Sequence, residues 1–219
     1  MDTQDCIRSR KSSRKFTDKE VSSELVYSVV QDAMRAPSYK NSQPWEVVAV
    51  AGQKKEELSR ILNRLLEEGV TPEPDIPEPP AWPDVIAARI ADTMDKRNRA
   101  FKVEPTTNAA LKSKQANYNF YGAPAALFFY QEASLGPWSL LDMGMFIENV
   151  ILGFHSRGVA TVPQAFLTDY SAQVKSFLGI GENKRLVLGM SVGYPDPADP
   201  RALFVSPRAN VDEIFRWVK

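Results

Sequence analysis

Apolar residues recur at helical spacing in the first third of the chain and predict two helices on either side of one strand. The first helix is capped by Ser22 or Ser23 and stopped by Pro37. Its apolar positions are Leu25, Val26, Val29, Val30, Ala33 and Met34. The second helix ends at Gly69. Its apolar positions are Leu58, Ile61, Leu62, Leu65 and Leu66. Between the helices, the β-rich run over 45–50 predicts a core strand.

The second half of the chain contains apolar runs of strand length and further helices. The nearly continuous run over 125–130 predicts a strand that is covered on both faces. The strongly apolar stretch over 139–156 predicts an almost fully buried central helix that is terminated by Gly158. A short helix over 169–178 and a third strand over 186–194 complete the predicted elements.

A proline-rich segment interrupts this pattern in the middle of the chain. Six of the 16 prolines lie within 71–83, and such a composition excludes a central strand or helix. The segment is either an interdomain linker or an excursion within one domain. We favour the excursion, because the preceding chain holds too few strands to form its own sheet. Asp84 is then expected to cap a charged helix through Arg99. We expect one domain, 1–219, with a variable insertion at about 70–120.

Composition excludes several classes of protein. Among the 219 residues, 27 Lys and Arg balance 27 Asp and Glu, which argues against a broad basic face for nucleic acid. One cysteine and one histidine are too few ligands for a His/Cys metal site. The N-terminus lacks an apolar signal core, and the most apolar later stretch is interrupted by polar residues. We expect a cytoplasmic protein that binds neither nucleic acid nor membranes.

Cations are nevertheless concentrated near the N-terminus, where they are interleaved with serines. The cationic positions are Arg8, Arg10, Lys11, Arg14 and Lys15. Such a cluster is either a solvated basic arm or an anion cradle, in which guanidinium groups and hydroxyls converge on a phosphate.

Standard catalytic motifs are absent from the sequence. It contains no P-loop, no Gly-x-Gly-x-x-Gly fingerprint and no Gly-x-Ser-x-Gly elbow. The only histidine, His155, lies in the apolar helix and is expected to be a satisfied core residue. The only thiol, Cys6, has no visible partner base. Few acid–base side chains together with a phosphate-like cradle indicate chemistry that belongs to a cofactor.

Several motifs carry a resemblance to a known family. They are the basic and serine-rich segment 7–16, Ala-Pro-Ser-Tyr-Lys-Asn-Ser-Gln-Pro-Trp over 36–45, Phe-Tyr-Gly-Ala-Pro over 120–124, Leu-Asp-Met-Gly-Met-Phe over 141–146, Thr-Val-Pro-Gln over 161–164, Gly-Tyr-Pro-Asp over 193–196, and Arg208. In these motifs the sequence resembles the FMN-dependent nitroreductase family over nearly the whole chain, residues 70–105 excepted.

The resemblance implies both an architecture and an activity. The implied fold is a three-layer α+β fold, with a mostly antiparallel central sheet flanked by helices, in an intertwined homodimer with FMN sites at the interface. The implied reaction is ping-pong electron transfer from NAD(P)H through FMN to a nitroaromatic, a quinone or a similar flat acceptor. The apolar helix around 143–154 is then a candidate for the dimer core.

The resemblance also assigns site residues, position by position. Those expected at the flavin phosphate and ribityl chain are Arg10, Lys11, Ser12, Arg14 and Arg208. Those expected in a loop that approaches the flavin from the partner subunit are Pro37, Ser38, Tyr39, Asn41 and Gln43. The backbone segment expected to donate a hydrogen bond toward flavin N5 is Pro163, Gln164 and Ala165. Asn119, or alternatively Asn117, is expected at the pyrimidine edge, and no side chain is expected to be catalytic.

The sequence leaves two questions about function open. The chain is either an unspecialised member of this kind or a specialised one, such as a reductive dehalogenase or a flavin-destroying enzyme. A non-catalytic binding module whose basic arm contacts a partner is an alternative of a different class.

Overall fold

The computed structural model describes residues 1–103 and 108–219. Within these ranges, four strands form one sheet. The strands are Glu46–Ala51 (β1), Ala125–Glu132 (β2), Ala160–Gln164 (β3) and Lys184–Gly193 (β4). The α-helices of the described ranges are Thr3–Ser9 (α1), Ser23–Ala33 (α2), Gly52–Glu67 (α3), Asp84–Ala100 (α4), Ala109–Tyr118 (α5), Pro137–His155 (α6), Ser171–Leu178 (α7) and Pro200–Leu203 (α8).

Two details differ from the elements predicted from the sequence. The sequence does not predict β3, which is short and contains Pro163, a residue that lacks a donor for the strand ladder. β3 lies at one edge of the sheet, where such a residue is tolerated. Asp84 does not cap α4, because Pro83 occupies the N-cap position and Asp84 is the first helical residue.

The sheet is antiparallel throughout the described residues and has the strand order β1-β2-β4-β3. In the middle of β2, Phe128 lies opposite Val48 on one side and Gly189 on the other. A Cβ atom at Gly189 would lie 2.5 Å from the Cβ of Leu167, so the close packing at this position requires glycine. The predicted antiparallel sheet is confirmed.

Helices cover both faces of the sheet. Phe129 of β2 packs with α2 and α6, and its ring meets that of Phe146 edge-on at 6.2 Å between centroids. The neighbouring Phe128 points to the opposite face, into a cluster that includes Leu58 of α3 and Val174 of α7. Both phenylalanines of β2 are fully buried, as expected of a strand that is covered on both sides. The predicted three-layer α+β architecture is confirmed.

Helix α6 is the longest helix of the described residues and runs the length of one layer. Its 19 residues span roughly 28 Å at 1.5 Å per residue. Pro137 starts the helix at a position where the missing N–H costs nothing. The sequence predicts an almost fully buried helix, but the side chains of Trp138 and Leu141 are exposed at 64% and 56% in the single chain. An apolar stripe of α6 therefore faces outward near its N-terminal end.

The proline-rich segment is tied to the body of the chain by polar contacts. The Asp75 carboxylate accepts the Leu186 N–H at 2.7 Å and pairs with Lys175 at 2.9 Å. The Glu73 N–H donates to the Asp169 carbonyl at 2.7 Å. These contacts attach the segment to Asp169, to α7 and to β4.

Candidate functional site

The basic N-terminal segment lies against the outer edge of β3. Ser12 forms a parallel bridge with Thr161, and the Ser13 N–H donates to the Thr161 carbonyl at 3.1 Å. Further along, Phe16 is buried and bridges to Pro195. We call residues 12–16 the N-terminal strap. Backbone bonds to the sheet hold the strap in place, so this part of the segment is not a solvated basic arm.

Helix α1 fixes the beginning of the basic segment. Asp2 caps α1 by accepting the Asp5 N–H at 2.9 Å. On the inner side of the helix, the buried Cys6 thiol lies 3.5 Å from the Leu152 carbonyl of α6. Cys6 therefore packs α1 against the C-terminal half of α6. This contact fixes the position at which the basic segment begins.

The first cations of this segment meet the C-terminal part of the chain in one pocket of about 340 Å³. We call it the cation pocket. It is lined by Ile7, Arg8, Arg10, Lys11, Ser12, Val205, Ser206 and Arg208. The fold thus brings together Arg10, Lys11, Ser12 and Arg208, four of the residues predicted from the sequence, although almost 200 positions separate the two segments.

The cations of this pocket have no acidic partner among the described residues, where none of its three arginines and its lysine forms an ion pair. The Arg208 guanidinium bonds only to nearby carbonyls, those of Ser206 and Pro207, at 3.0 and 2.9 Å. Converging guanidinium and ammonium groups without a counter-charge form an anion site of the kind that binds a phosphate.

His155 lies beside these cations at the C-terminal end of α6. Its Nε2 is 2.8 Å from the Ser9 hydroxyl, and the side chain is only half-buried. The expectation of a core histidine is therefore wrong. Burial lowers the pKa of His155, and the positive charges of Arg10 and Lys11 lower it further.

Arg14 has an unusual environment within the strap. Its backbone N–H donates to the Arg201 carbonyl at 2.9 Å. In contrast, its side-chain Nε and Nη1 are buried and have no hydrogen-bond partner among the described residues. Buried guanidinium donors are costly when they are unpaired, so this group is built for an acceptor supplied from outside the chain.

The carbonyl that holds Arg14 is itself fixed by an ion pair. The Arg201 guanidinium forms an ion pair with the Asp199 carboxylate, and its Nε donates to Oδ1 at 2.9 Å. This hydrogen bond is the main cause that lowers the pKa of Asp199 to about 2. The carboxylate therefore stays ionised across the physiological range and keeps the start of α8 beside the strap.

The end of β3, at Gln164, lies three residues beyond Thr161, to which the strap is bonded. The Gln164 side chain is buried and fully used, since its Nε2 donates to the carbonyl and the side-chain oxygen of Asn117, both at 3.1 Å. Its Oε1 accepts from the N–H and the hydroxyl of Ser191. Ala165 then begins a short 3₁₀ helix, and the first N–H groups of a helix have no partner within it. The segment Pro163–Ala165 can therefore offer its backbone to a ligand, whereas the Gln164 side chain cannot.

The two candidate asparagines lie in different environments. The side-chain oxygen of Asn119 accepts bonds from Ser59 and Asn63 of α3, both at 2.9 Å. Asn117 instead contacts Gln164 at the end of β3. Of the two, Asn117 is the one that the structure brings next to the predicted site.

The loop over 37–43, which is predicted to approach the flavin from the partner subunit, packs on the first turns of α6. The Tyr39 N–H donates to both oxygens of the buried Asp142 carboxylate at 3.1 Å. The Tyr39 ring stacks on Trp138 at 5.8 Å between centroids, and the Gln43 N–H donates to the Ser38 hydroxyl at 3.0 Å. Pro37 leads into this loop. Asp142 thus anchors the loop to α6. The sequence analysis does not predict this role of Asp142.

Asn41 and Gln43 occupy the tip of this loop with exposed side chains and left-handed backbone conformations, φ 58° and 46°. The Gln43 amide reaches only the Asn41 carbonyl, at 3.3 Å. Asparagine tolerates this conformation better than most residues. The tip therefore presents two exposed polar side chains on a left-handed backbone.

The loop and the cation pocket lie at opposite ends of α6 within one chain. Asp142, which holds the loop, and His155, which lies beside the pocket, are 13 positions apart on the helix, or roughly 20 Å at 1.5 Å per residue. A single chain therefore does not bring Ser38, Tyr39, Asn41 and Gln43 to the pocket.

A further cation, Arg97 of α4, is half-buried, and burial followed by the positive charge of Arg14 lowers its pKa. The sequence analysis does not identify it, because a charged helix in an insertion is usually solvated.

Two features were searched for and not found among the described residues, a metal-ligand cluster and a membrane-spanning helix. Among them, no group of three or more His, Cys, Asp or Glu residues could hold a metal ion. None of the helices in the described ranges combines the length and apolar character needed to cross a membrane.

Comparison with known proteins identifies the family. The model of the nitroreductase family matches residues 7–194, which include the strap, the loop and the end of β3. The chain belongs to the nitroreductase family. It is 30% identical over 196 residues to a 4-nitrobenzoate reductase of Pseudomonas putida, with 87% of this chain and 84% of that protein covered.

Solved structures of the family superpose closely on this chain. The FMN- and NADPH-dependent nitroreductase NfnB from Sphigopyxis sp. strain HMH gives a TM-score of 0.95 at 27% identity and covers 100% of both chains. The FMN-dependent nitroreductase NfnB from Mycobacterium smegmatis, solved in complex with NADPH, gives 0.93 at 28% identity and covers 99% of this chain and 97% of that one.

Proposed function

We propose that this nitroreductase-family chain is an FMN-dependent oxidoreductase that uses NAD(P)H to reduce nitroaromatic compounds. The observation that carries the proposal is the pairing of two features: an unneutralised cation pocket and, two residues further along the strap, a guanidinium with buried unpaired donors. FMN has matching groups, a phosphate at one end and a hydrogen-bonding ring edge at the other.

Different residues of the site would bind the phosphate and the ring of FMN. Arg10, Lys11, Ser12 and Arg208 would bind the phosphate, because their cationic and hydroxyl groups converge without a counter-charge. Arg14 would face the N1–C2=O edge of the ring, where its positive charge favours the reduced form.

The chemistry itself belongs to the cofactor. FMN, when bound, supplies hydride acceptance and donation. The backbone at Pro163–Ala165 would orient the ring by donating a hydrogen bond toward its N5 side. Buried surroundings at the strap would keep water away from Arg14 and so strengthen its electrostatic effect. No side chain of the site needs to gain or lose a proton.

We propose that the functional unit is a homodimer in which the loop over 37–43 of each chain completes the FMN site of the partner. Two observations support this arrangement. The loop lies roughly 20 Å along α6 from the pocket of its own chain. The exposed apolar stripe of α6, with Trp138 and Leu141, is continuous with that loop. Burying this stripe against a second α6 would bring loop and pocket from different chains together.

The names of relatives support the choice of donor and acceptor. Relatives include 4-nitrobenzoate and nitrobenzene reductases, and a related structure contains NADPH. We propose a ping-pong order, in which donor and acceptor use the same face of the ring in turn, and a single domain whose insertion borders the site. Dependence on reduced nicotinamides accords with a cytoplasmic location.

Spectroscopy tests the proposed function directly. The purified protein is expected to be yellow or to take up FMN stoichiometrically, to bleach when NADPH is added without oxygen, and to regain its colour when 4-nitrobenzoate is added. Each nicotinamide is then compared by stopped-flow reduction. A colourless protein that gains no flavin absorbance on mixing with FMN would contradict the proposal and favour a non-catalytic binding module.

His155 provides a direct probe of the cation pocket, since it is the only histidine of the chain. Without ligand, its pKa is expected below the usual value of about 6.5, because burial and then Arg10 and Lys11 disfavour the imidazolium. Binding of the FMN phosphate adds negative charge and is expected to raise this pKa. An NMR titration of the single imidazole, with and without FMN, measures the change. A pKa that does not move on FMN binding would place the phosphate elsewhere.

A further inference from the structure

Lys40 lies at the centre of the loop over 37–43, and the proposed function gives it no role. It is exposed and has a left-handed backbone conformation, φ 52° and ψ 25°. The turn is closed by the Asn41 N–H, which donates to the Ser38 carbonyl at 3.0 Å. Glycine or asparagine adopts such a conformation more readily than lysine does. The geometry of the turn therefore does not account for a lysine at this position.

The side chain of Lys40 is held beside an aromatic pair. Its Nζ lies 5.4 Å from the centroid of the Tyr39 ring, within the range of a cation–π attraction. The Tyr39 ring in turn stacks on Trp138, with 5.8 Å between centroids and 18° between planes. This attraction limits the positions that the ammonium samples, so pairing with an anion costs less conformational entropy than it would for a freely moving lysine.

The charge of Lys40 is not neutralised within the part of the chain that the structure describes, where none of the ion pairs includes its Nζ. The carboxylate that anchors the loop, Asp142, is buried and accepts the Tyr39 N–H with both oxygens and the Ser42 hydroxyl at 3.4 Å. An ammonium without a counter-charge beside aromatic rings is complementary to an aromatic ligand that carries a negative charge.

In the proposed dimer, this ammonium would lie near the acceptor and not near the FMN phosphate, which the cation pocket of the other chain would bind. Asn41, the next residue, would reach FMN, and consecutive Cα atoms are about 3.8 Å apart. The four-carbon stem of lysine is longer than the side chain of asparagine. The Lys40 ammonium can therefore reach a ligand that stacks on the FMN ring.

Two ligands of the proposed reaction carry negative charge, the nicotinamide donor and a carboxylated acceptor. The phosphates of the donor are separated from its reacting ring by a ribose. The carboxylate of a nitrobenzoate is instead attached to the ring that bears the nitro group. Because Lys40 belongs to the same short turn as Asn41, the charge of a carboxylated acceptor lies within its reach.

We propose that Lys40 makes this enzyme selective for anionic nitroaromatics, by pairing its ammonium with a carboxylate on the ring of the acceptor. The inference rests on the proposed function and on the proposed dimer, and it narrows the acceptor from nitroaromatics in general to nitrobenzoates. The names of the relatives do not decide this point, because they include reductases of both 4-nitrobenzoate and nitrobenzene.

The test compares three acceptors in the FMN-saturated enzyme: 4-nitrobenzoate, its uncharged analogue 4-nitrobenzamide, and nitrobenzene. Lys40→Gln is expected to lower kcat/KM for 4-nitrobenzoate about tenfold and to change the values for the two neutral acceptors less than about twofold. Lys40→Arg keeps the charge and should keep the preference. Lys19→Gln is the matched control, because Lys19 is also exposed, with its Nζ 3.9 Å from the centroid of the Tyr194 ring, and lies outside the loop and the cation pocket.

The decisive quantity is the ratio of kcat/KM for 4-nitrobenzoate to that for 4-nitrobenzamide. A wild-type ratio in Lys40→Gln would overturn the inference. So would an equal loss with all three acceptors, or slower bleaching by NADPH in stopped flow with an unchanged ratio, which would assign Lys40 to the donor. Failure of the wild-type chain to bind FMN would instead refute the proposed function.

Discussion

Replacing Arg208 with Ala is expected to weaken FMN binding by about 10- to 100-fold. The guanidinium lies across the cation pocket from the N-terminal cations and has no ion pair among the described residues. Hydrogen bonds to charged groups contribute about 1.5–3 kcal/mol, which corresponds to this range. Equilibrium dialysis followed by flavin absorbance measures the loss.

The fold should tolerate this change, because Arg208 is exposed and bonds only to carbonyls of its own segment. Arg64→Ala is a matched control: it removes the same charge from the exposed surface of α3, where Arg64 makes only a long contact of 4.0 Å with Glu68. The control should retain FMN as the wild-type protein does. Equal FMN occupancy of the Arg208 variant and the control after dialysis would remove Arg208 from the phosphate site.

Much of the fold can be predicted from the sequence, because burial imposes a clear pattern on long elements. The periodicity of α2 and α3 and the continuous apolar run of β2 identify these elements with ends close to those observed. The strand β3 escapes prediction since its five residues contain Pro163 and form a sheet edge, so neither composition nor alternation marks it.

The site could be predicted only as far as its residues lie within local motifs. The basic segment and Arg208 follow from the resemblance, and the fold brings them to one pocket. Arg97 could not be found this way. Its half-buried position depends on tertiary packing, which a solvated charge pattern conceals.

Removing both polar side chains at the loop tip, Asn41→Ala with Gln43→Ala, is expected to weaken FMN binding by about 5- to 150-fold. Their exposed amides make one long bond within the loop, from Gln43 to the Asn41 carbonyl at 3.3 Å, whereas the contacts that anchor the loop are those of Asp142 and Ser38. The fold and the dimer should therefore persist, while two hydrogen bonds to FMN, each contributing about 0.5–1.5 kcal/mol, are lost. Fluorescence titration with FMN measures the affinity, and circular dichroism verifies the fold.

A mixed dimer tests the central claim, that each FMN site combines the cation pocket of one chain with the loop of the other. Differently tagged Arg208→Ala and Asn41→Ala/Gln43→Ala chains are co-expressed, and the mixed dimer is purified through both tags. One of its sites would contain both altered parts, whereas the other would contain neither. Titration with FMN should therefore show one site of wild-type affinity per dimer, which neither parent dimer has. If every site of the mixed dimer is as weak as those of the parents, pocket and loop do not come from different chains.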